Sequence, residues 1–161
     1  MEGSFRDRVA AGAALAEGLA GYAKRPDVVV LGLVRGGVPV AATVAARLAV
    51  ALDVLVIRKL GVPWAPEVAF GALGPGGVAV RNDDVAARLD QPDVDRVLAR
   101  EEAELARREA QYRAGRPPLT LRGRVAVLVD DGLATGATAR AAVAVARELD
   151  AARVVLAVPV G

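Results

Sequence analysis

The chain has 161 residues, enough for one domain with a real core, because a domain of this size buries roughly 70% of its unfolded surface. It contains no cysteine and no histidine, which excludes disulfides, thiolate or imidazole metal sites, thiol nucleophiles and any Ser-His or Cys-His catalysis. A net charge of +2 with basic residues scattered among acids, and an aromatic content of 3%, argue against a nucleic-acid surface.

Phe5, Val9, Gly12, Leu15, Ala16 and Leu19 recur at helical spacing, so the chain is expected to open with a helix that Pro26 breaks. Val28 to Leu33 is a short apolar run, as a strand buried on both faces requires. A turn, Arg35 to Pro39, leads into a helix over 40–49, and Asp53 to Ile57 reads as a second strand. Residues 58–67, with Gly61, Pro63 and Pro66, are expected to be a loop. Two short strands, 68–73 and 77–80, flank Gly74-Pro-Gly-Gly77 as a hairpin. A long amphipathic helix spans about 93–112, with Val94, Val97, Leu98, Leu105 and Tyr112 on one face, and ends before Arg116-Pro-Pro118. A strand at 125–129, a helix at 139–149 and an apolar strand at 153–158 complete the chain.

No apolar run approaches the roughly 18 residues of a membrane span; the longest, Val38 to Ala46, is closed by Arg47. Glu2 and Asp7 stand where a signal peptide would carry positive charge and then an apolar stretch. The expectation is a soluble cytoplasmic protein with no membrane and no nucleic-acid partner.

Strand–helix alternation with apolar strands points to an α/β fold: a mostly parallel central sheet flanked by helices on both faces, with a small antiparallel flap at about 61–81. Ligands of such sheets sit beyond the carboxyl ends of the strands. Two glycine-bearing turns lie there, at 35–37 and 132–136.

The most informative run is Val125-Ala-Val-Leu-Val-Asp-Asp-Gly-Leu-Ala-Thr-Gly-Ala-Thr138. It delivers Asp130 and Asp131 to a strand end, then small residues and hydroxyls at a helix start. Free N–H groups and the helix dipole there suit a phosphate. Two carboxylates beside it suit the vicinal hydroxyls of a phosphorylated sugar. Adjacent acids at a strand end are also what a solvated helix cap looks like; the Gly/Thr run favours a ligand. It is neither a Walker A loop nor a dinucleotide fingerprint. A response-regulator receiver would place its acidic pair after the first strand and a lysine later. Here the pair stands at 130 and no lysine follows it.

This segment resembles the ribose-5-phosphate signature of the type I phosphoribosyltransferases. Arg35-Gly36-Gly37 resembles that family's pyrophosphate loop. Arg58-Lys-Leu-Gly-Val-Pro63, Pro66-Glu-Val-Ala-Phe-Gly71 and the opening Phe5-Arg-Asp-Arg8 resemble a bacterial subgroup, so the likeness covers nearly the whole chain. It implies a single domain over 1–161 and a substrate, 5-phosphoribosyl-1-pyrophosphate, attacked by a nitrogenous acceptor, expected to be a nucleobase. Mg²⁺ would reach the site through the substrate, near Asp130 and Asp131 and with no direct protein ligand assigned. It further implies that Asp130, Asp131, Gly132, Ala134, Thr135, Gly136, Ala137 and Thr138 hold ribose-5-phosphate. Arg35, Gly36, Gly37, Arg58 and Lys59 would hold pyrophosphate, and Asp130, Asp131, Arg35 and Lys59 would carry catalysis. Members are usually dimers, and their acceptor is held by a hood, often partly C-terminal; the chain stops at Gly161 before such a segment, so an incomplete acceptor site is expected. A regulatory sugar-phosphate sensor and a purely structural domain are the alternatives. Trp64 and Glu67 have no assigned role; core packing or a lid would each account for the tryptophan.

Overall fold

The computed structural model describes residues 8–34, 36–132 and 136–159. The chain forms two compact units: Met1–Leu55 with Thr120–Gly161, and the intervening Val56–Leu119.

In the first unit, α1 (Arg8–Gly18) precedes β1 (Val28–Leu33), α2 (Gly37–Leu48) and β2 (Ala51–Leu55); β6 (Val125–Val129), α5 (Gly136–Glu148) and β7 (Arg153–Ala157) follow the second unit. The four strands make one parallel sheet in the order β2-β1-β6-β7. Every residue of β1 and β6 is buried, which is why both read as unbroken apolar runs. Val28, Val30, Val125, Val127 and Val129 share a core with Val40, Val44 and Leu48 of α2 and with Ala11 and Ala16 of α1. The alternate residues Val29, Leu31, Ala126 and Leu128 are equally buried on the other face. The crossovers β1-α2-β2 and β6-α5-β7 run outward in opposite directions, so right-handed connections put α2 and α5 on opposite faces. Gly12 lets α1 cross α2 closely: a β-carbon there would stand 2.5 Å from the Thr43 β-carbon. Gly32 does the same for α2 against β1, with the Val38 α-carbon 2.8 Å from such a β-carbon.

The second unit holds an antiparallel sheet, β3 (Arg58–Val62), β4 (Ala65–Leu73) and β5 (Ala79–Arg81), then α3 (Asp83–Ala86) and α4 (Gln91–Arg113). Helix α4 starts with Pro92 and Asp93 in its first turn and ends with Arg113 in its last, each favoured there by backbone geometry or the helix dipole. Val94 and Val97 are buried with Leu60, Val62, Phe70 and Leu73 of the sheet, and Leu98 and Leu105 pack against them.

Three expectations are corrected. Residues 58–67 are no loop: 58–62 and 65–67 are strand, and only 63–64 turn. Pro66 is tolerated because the β3–β4 pairing is irregular around Gly61, where a ladder bond is not required. The opening helix ends at Gly18, well before Pro26, and a short 3₁₀ turn at Ala20–Tyr22 follows. Helix α2 begins at Gly37 and takes Pro39 into its first turn, where a missing N–H costs nothing. The flap is present, as the antiparallel sheet.

Candidate functional site

The sheet order fixes where a ligand belongs in the first unit. Neighbouring strands β1 and β6 send their chains to opposite sides, so the loops after them part and leave a crevice at their carboxyl ends. Both glycine-bearing turns stand there. A β-carbon on Gly36 would overlap the Asp131 carboxylate, and one on Gly37 would overlap the Val129 carbonyl oxygen. Two segments far apart in sequence thus meet at backbone-to-carboxylate distance, and only glycine permits the approach.

Asp130 is held as a continuation of β6. Its N–H donates to the Ala157 carbonyl at 3.3 Å, and its Oδ1 accepts the Asp131 N–H at 2.9 Å. Asp130 is half-buried and Asp131 exposed. Burial pushes the Asp130 carboxyl above the usual aspartate range; the Asp131 N–H pulls it down, and the neighbouring Asp131 charge raises it again. Gly132 has no packing reason to be glycine: among the described residues, nothing lies within 4 Å of a β-carbon placed there. Gly136 and Ala137 open α5, and Thr138 in its first turn is half-buried. Arg35, Ala134 and Thr135 lie outside the described residues, as does most of the Phe5–Arg8 run.

Arg58 and Lys59 belong to the second unit. The Arg58 Nε donates to Glu101 Oε1 of α4 at 2.7 Å, and Arg100 approaches the other oxygen of that carboxylate at 3.4 Å. The Glu101 side chain is only 10% exposed. Sequence reading missed Glu101, because it sits 43 residues from its partner, though its place one heptad after Val94 marked it as inward-facing. Lys59 is exposed, one residue out of phase with the inward Leu60 and Val62. Glu67 is exposed, and Trp64 stands at the β3–β4 turn, 65% exposed, so core packing does not explain it.

No family model matches the chain. A Mycobacterium tuberculosis protein provisionally named as a phosphoribosyl transferase is 56% identical over 159 residues, covering 98% of this chain and 36% of the relative. A crystal structure from Thermus thermophilus is 48% identical with a TM-score of 0.86, over 96% of this chain and 74% of that one. The purine phosphoribosyltransferase of Pyrococcus horikoshii shares the fold, with a TM-score of 0.53 at 21% identity over 96% of this chain and 73% of its own. The chain has the phosphoribosyltransferase fold. It spans about a third of the curated phosphoribosyl transferase relative's length. That fold agrees with the expected parallel sheet and small antiparallel sheet. Among the described residues no helix is long and apolar enough to cross a membrane.

Proposed function

We propose that the chain binds 5-phosphoribosyl-1-pyrophosphate at the carboxyl ends of β1 and β6 and transfers the phosphoribosyl group to a nitrogenous acceptor, a nucleobase, with release of pyrophosphate. The observation that carries this reading is the approach of Gly36 to Asp131, because it joins the two turns whose sequences resemble the family's pyrophosphate and ribose-5-phosphate loops.

In this reading the 5-phosphate lies on the N–H groups at the start of α5, favoured by the helix dipole. Asp130 and Asp131 accept hydrogen bonds from the two ribose hydroxyls and fix the sugar's orientation. Gly132, with no described atom within 4 Å of where a β-carbon would stand, leaves room for the sugar's approach. The acceptor's nitrogen lone pair forms the new bond to the anomeric carbon, and the electrons of the breaking C–O bond leave on pyrophosphate. The sugar passes through an oxocarbenium-like state whose positive charge the nearby carboxylates favour. Arg35, Arg58 and Lys59 are proposed as the cations that meet the charge growing on pyrophosphate. With no histidine in the chain, rate enhancement rests on positioning and electrostatics.

The donors fit a substrate-borne Mg²⁺. Asp130 and Asp131 offer hard carboxylate oxygens, and among the described residues no cluster of three or more potential ligands forms a protein cage. Magnesium of this kind is held by one or two carboxylates plus substrate phosphates, and when bound it neutralises leaving-group charge.

The test is single-turnover release of labelled pyrophosphate from the substrate with Mg²⁺ and pooled nucleobases. Release that requires a base supports transfer. Saturable binding without release under any base would instead make the chain a sugar-phosphate-binding regulatory domain.

A further inference from the structure

Glu101 stands at a core position of α4. It falls seven residues after Val94 and four after Val97, which are both buried with Leu60, Val62, Phe70 and Leu73. An apolar side chain would suit that place, yet a carboxylate fills it. A buried carboxylate is unfavourable unless paired, and exchanging such a pair for apolar side chains of similar volume often leaves a fold no less stable. Stability alone therefore does not call for a glutamate here.

The bond to Arg58 uses Nε, the inner nitrogen of the guanidinium. Arg58 lies two and four residues before the buried Leu60 and Val62, so it shares their face of β3 and reaches α4. Held at Nε, the planar fork has its orientation fixed while its four outer N–H donors are left over. Among the described residues, Glu101 is the side chain that Arg58 pairs with. The Arg100 Nε lies 3.4 Å from the second carboxylate oxygen, so two positive charges and one negative leave the cluster at +1. The other ion-paired arginines of α4 differ. Arg96, Arg107 and Arg108 pair with carboxylates three or four residues away on their own helix, whereas the partner of Arg58 is buried on another element. An oriented fork with spare donors and surplus positive charge suits an anion with paired oxygens.

We infer that Glu101 is a positioning residue: it grips Arg58 by Nε and orders the outer N–H groups for pyrophosphate before the anion arrives. The inference rests on the transfer reading, in which Arg58 meets pyrophosphate, and extends it to α4, which that reading does not use. Ordering in advance spares the side-chain freedom that binding would otherwise remove. Glu101 itself touches no phosphate; it acts through Arg58.

Charge and geometry predict opposite outcomes, which makes the test decisive. Inorganic pyrophosphate with Mg²⁺ is titrated calorimetrically into the full chain, Glu101→Asp, Glu101→Gln, Arg58→Ala, Arg58→Lys and the double variant of Arg58→Ala with Glu101→Asp. Urea midpoints confirm that each is folded. Glu101→Asp keeps the charge and withdraws the carboxylate by one methylene. Glu101→Gln removes the charge and keeps an oxygen that accepts from Nε. Were Glu101 to act on the anion by charge alone, Glu101→Gln would tighten binding and Glu101→Asp would not change it. As a positioning residue, Glu101→Asp should weaken binding by at least ~10-fold, because misplacing a donor by about 1 Å is enough for such a loss. Glu101→Gln should not weaken it. Arg58→Lys, which keeps a charge but has no fork to hold, should bind as poorly as Glu101→Asp. The double variant should bind no worse than Arg58→Ala, since the arginine through which Glu101 acts is gone. Parent-like binding by Glu101→Asp or by Arg58→Lys overturns the inference and leaves the transfer reading standing. So does a further loss when Glu101→Asp is added to Arg58→Ala. Arg58→Ala binding as tightly as the parent, or no binding by the parent, overturns it together with the place of Arg58 in that reading.

Discussion

Gly36 and Asp131 touch: the space a β-carbon would need on residue 36 is filled by the Asp131 carboxylate. Gly37, next to it, is closed in the same way by the Val129 carbonyl oxygen. The two contacts differ in kind, and the difference is measurable. A carboxylate at the end of an exposed side chain swings away, whereas a strand carbonyl does not. Gly36→Ala should therefore cost little stability while displacing Asp131 and weakening sugar-pyrophosphate binding at least ~10-fold, about 1.4 kcal/mol. Gly37→Ala should destabilise the fold by about 1–3 kcal/mol, the range for overpacking. Urea midpoints and calorimetry on both variants check this; equal loss of stability in the two would contradict it.

Asp130 should show the opposite balance of stability and function. Burial raises its pKa on folding, so the folded chain keeps this proton to higher pH than the unfolded chain. The state that binds more protons loses ground as pH rises, so stability falls through the window from the ordinary aspartate value, about 4, up to the raised folded value. Asp130→Asn removes that loss and keeps an oxygen for the Asp131 N–H. Its urea midpoint should match the parent near about pH 3 and exceed it near about pH 7. A variant less stable than the parent at neutral pH would show that the carboxylate supports the fold.

The Arg58–Glu101 pair should matter to the second unit's stability. Breaking a buried pair by removing one partner costs about 3–5 kcal/mol, and the partial exposure of Arg58 lowers that here to about 1–3 kcal/mol. Glu101→Ala should show this loss in chemical denaturation, with Glu101→Gln losing less because the amide oxygen still accepts from Nε. An unchanged midpoint in Glu101→Ala would mean that the pair contributes nothing net.

Lys59 points away from the Leu60–Val62 face, so its removal should leave the fold intact. If it meets charge growing on pyrophosphate, its effect falls on turnover more than on ground-state binding. Lys59→Ala should cut the single-turnover rate by at least ~10-fold, about 1.4 kcal/mol, with a smaller change in affinity. Turnover equal to the parent's with a confirmed acceptor would remove Lys59 from the leaving-group role.

What could be read from sequence followed burial. Strands β1 and β6 are buried on both faces, so their boundaries match the apolar runs at Val28–Leu33 and Val125–Val129. Strand β3 escaped because it shows its apolar face only at Leu60 and Val62, between charged residues and Pro63, and its pairing is irregular at Gly61. The four-residue α3 was also missed, although Asn82 caps it by accepting the Val85 N–H at 3.4 Å and two aspartates follow, a start signal present in the sequence. In the site, the acidic pair and the glycines at 36 and 37 were legible from residue type. Their contact was not, because it depends on the order in which the strands lie side by side. Arg58's engagement with Glu101 was hidden for the same reason, while Arg35, Ala134 and Thr135 fall outside the described residues.

Calorimetric titration of 5-phosphoribosyl-1-pyrophosphate with Mg²⁺ into the parent chain, Asp130→Asn and Asp131→Asn tests the sugar-phosphate assignment most directly. The parent should bind. Each variant should lose about 1.5–3 kcal/mol of binding free energy, the range for a hydrogen bond to a charged group, without loss of thermal stability. Absence of binding by the parent, or unchanged affinity in both variants, would contradict the placement of the ribose at the end of β6.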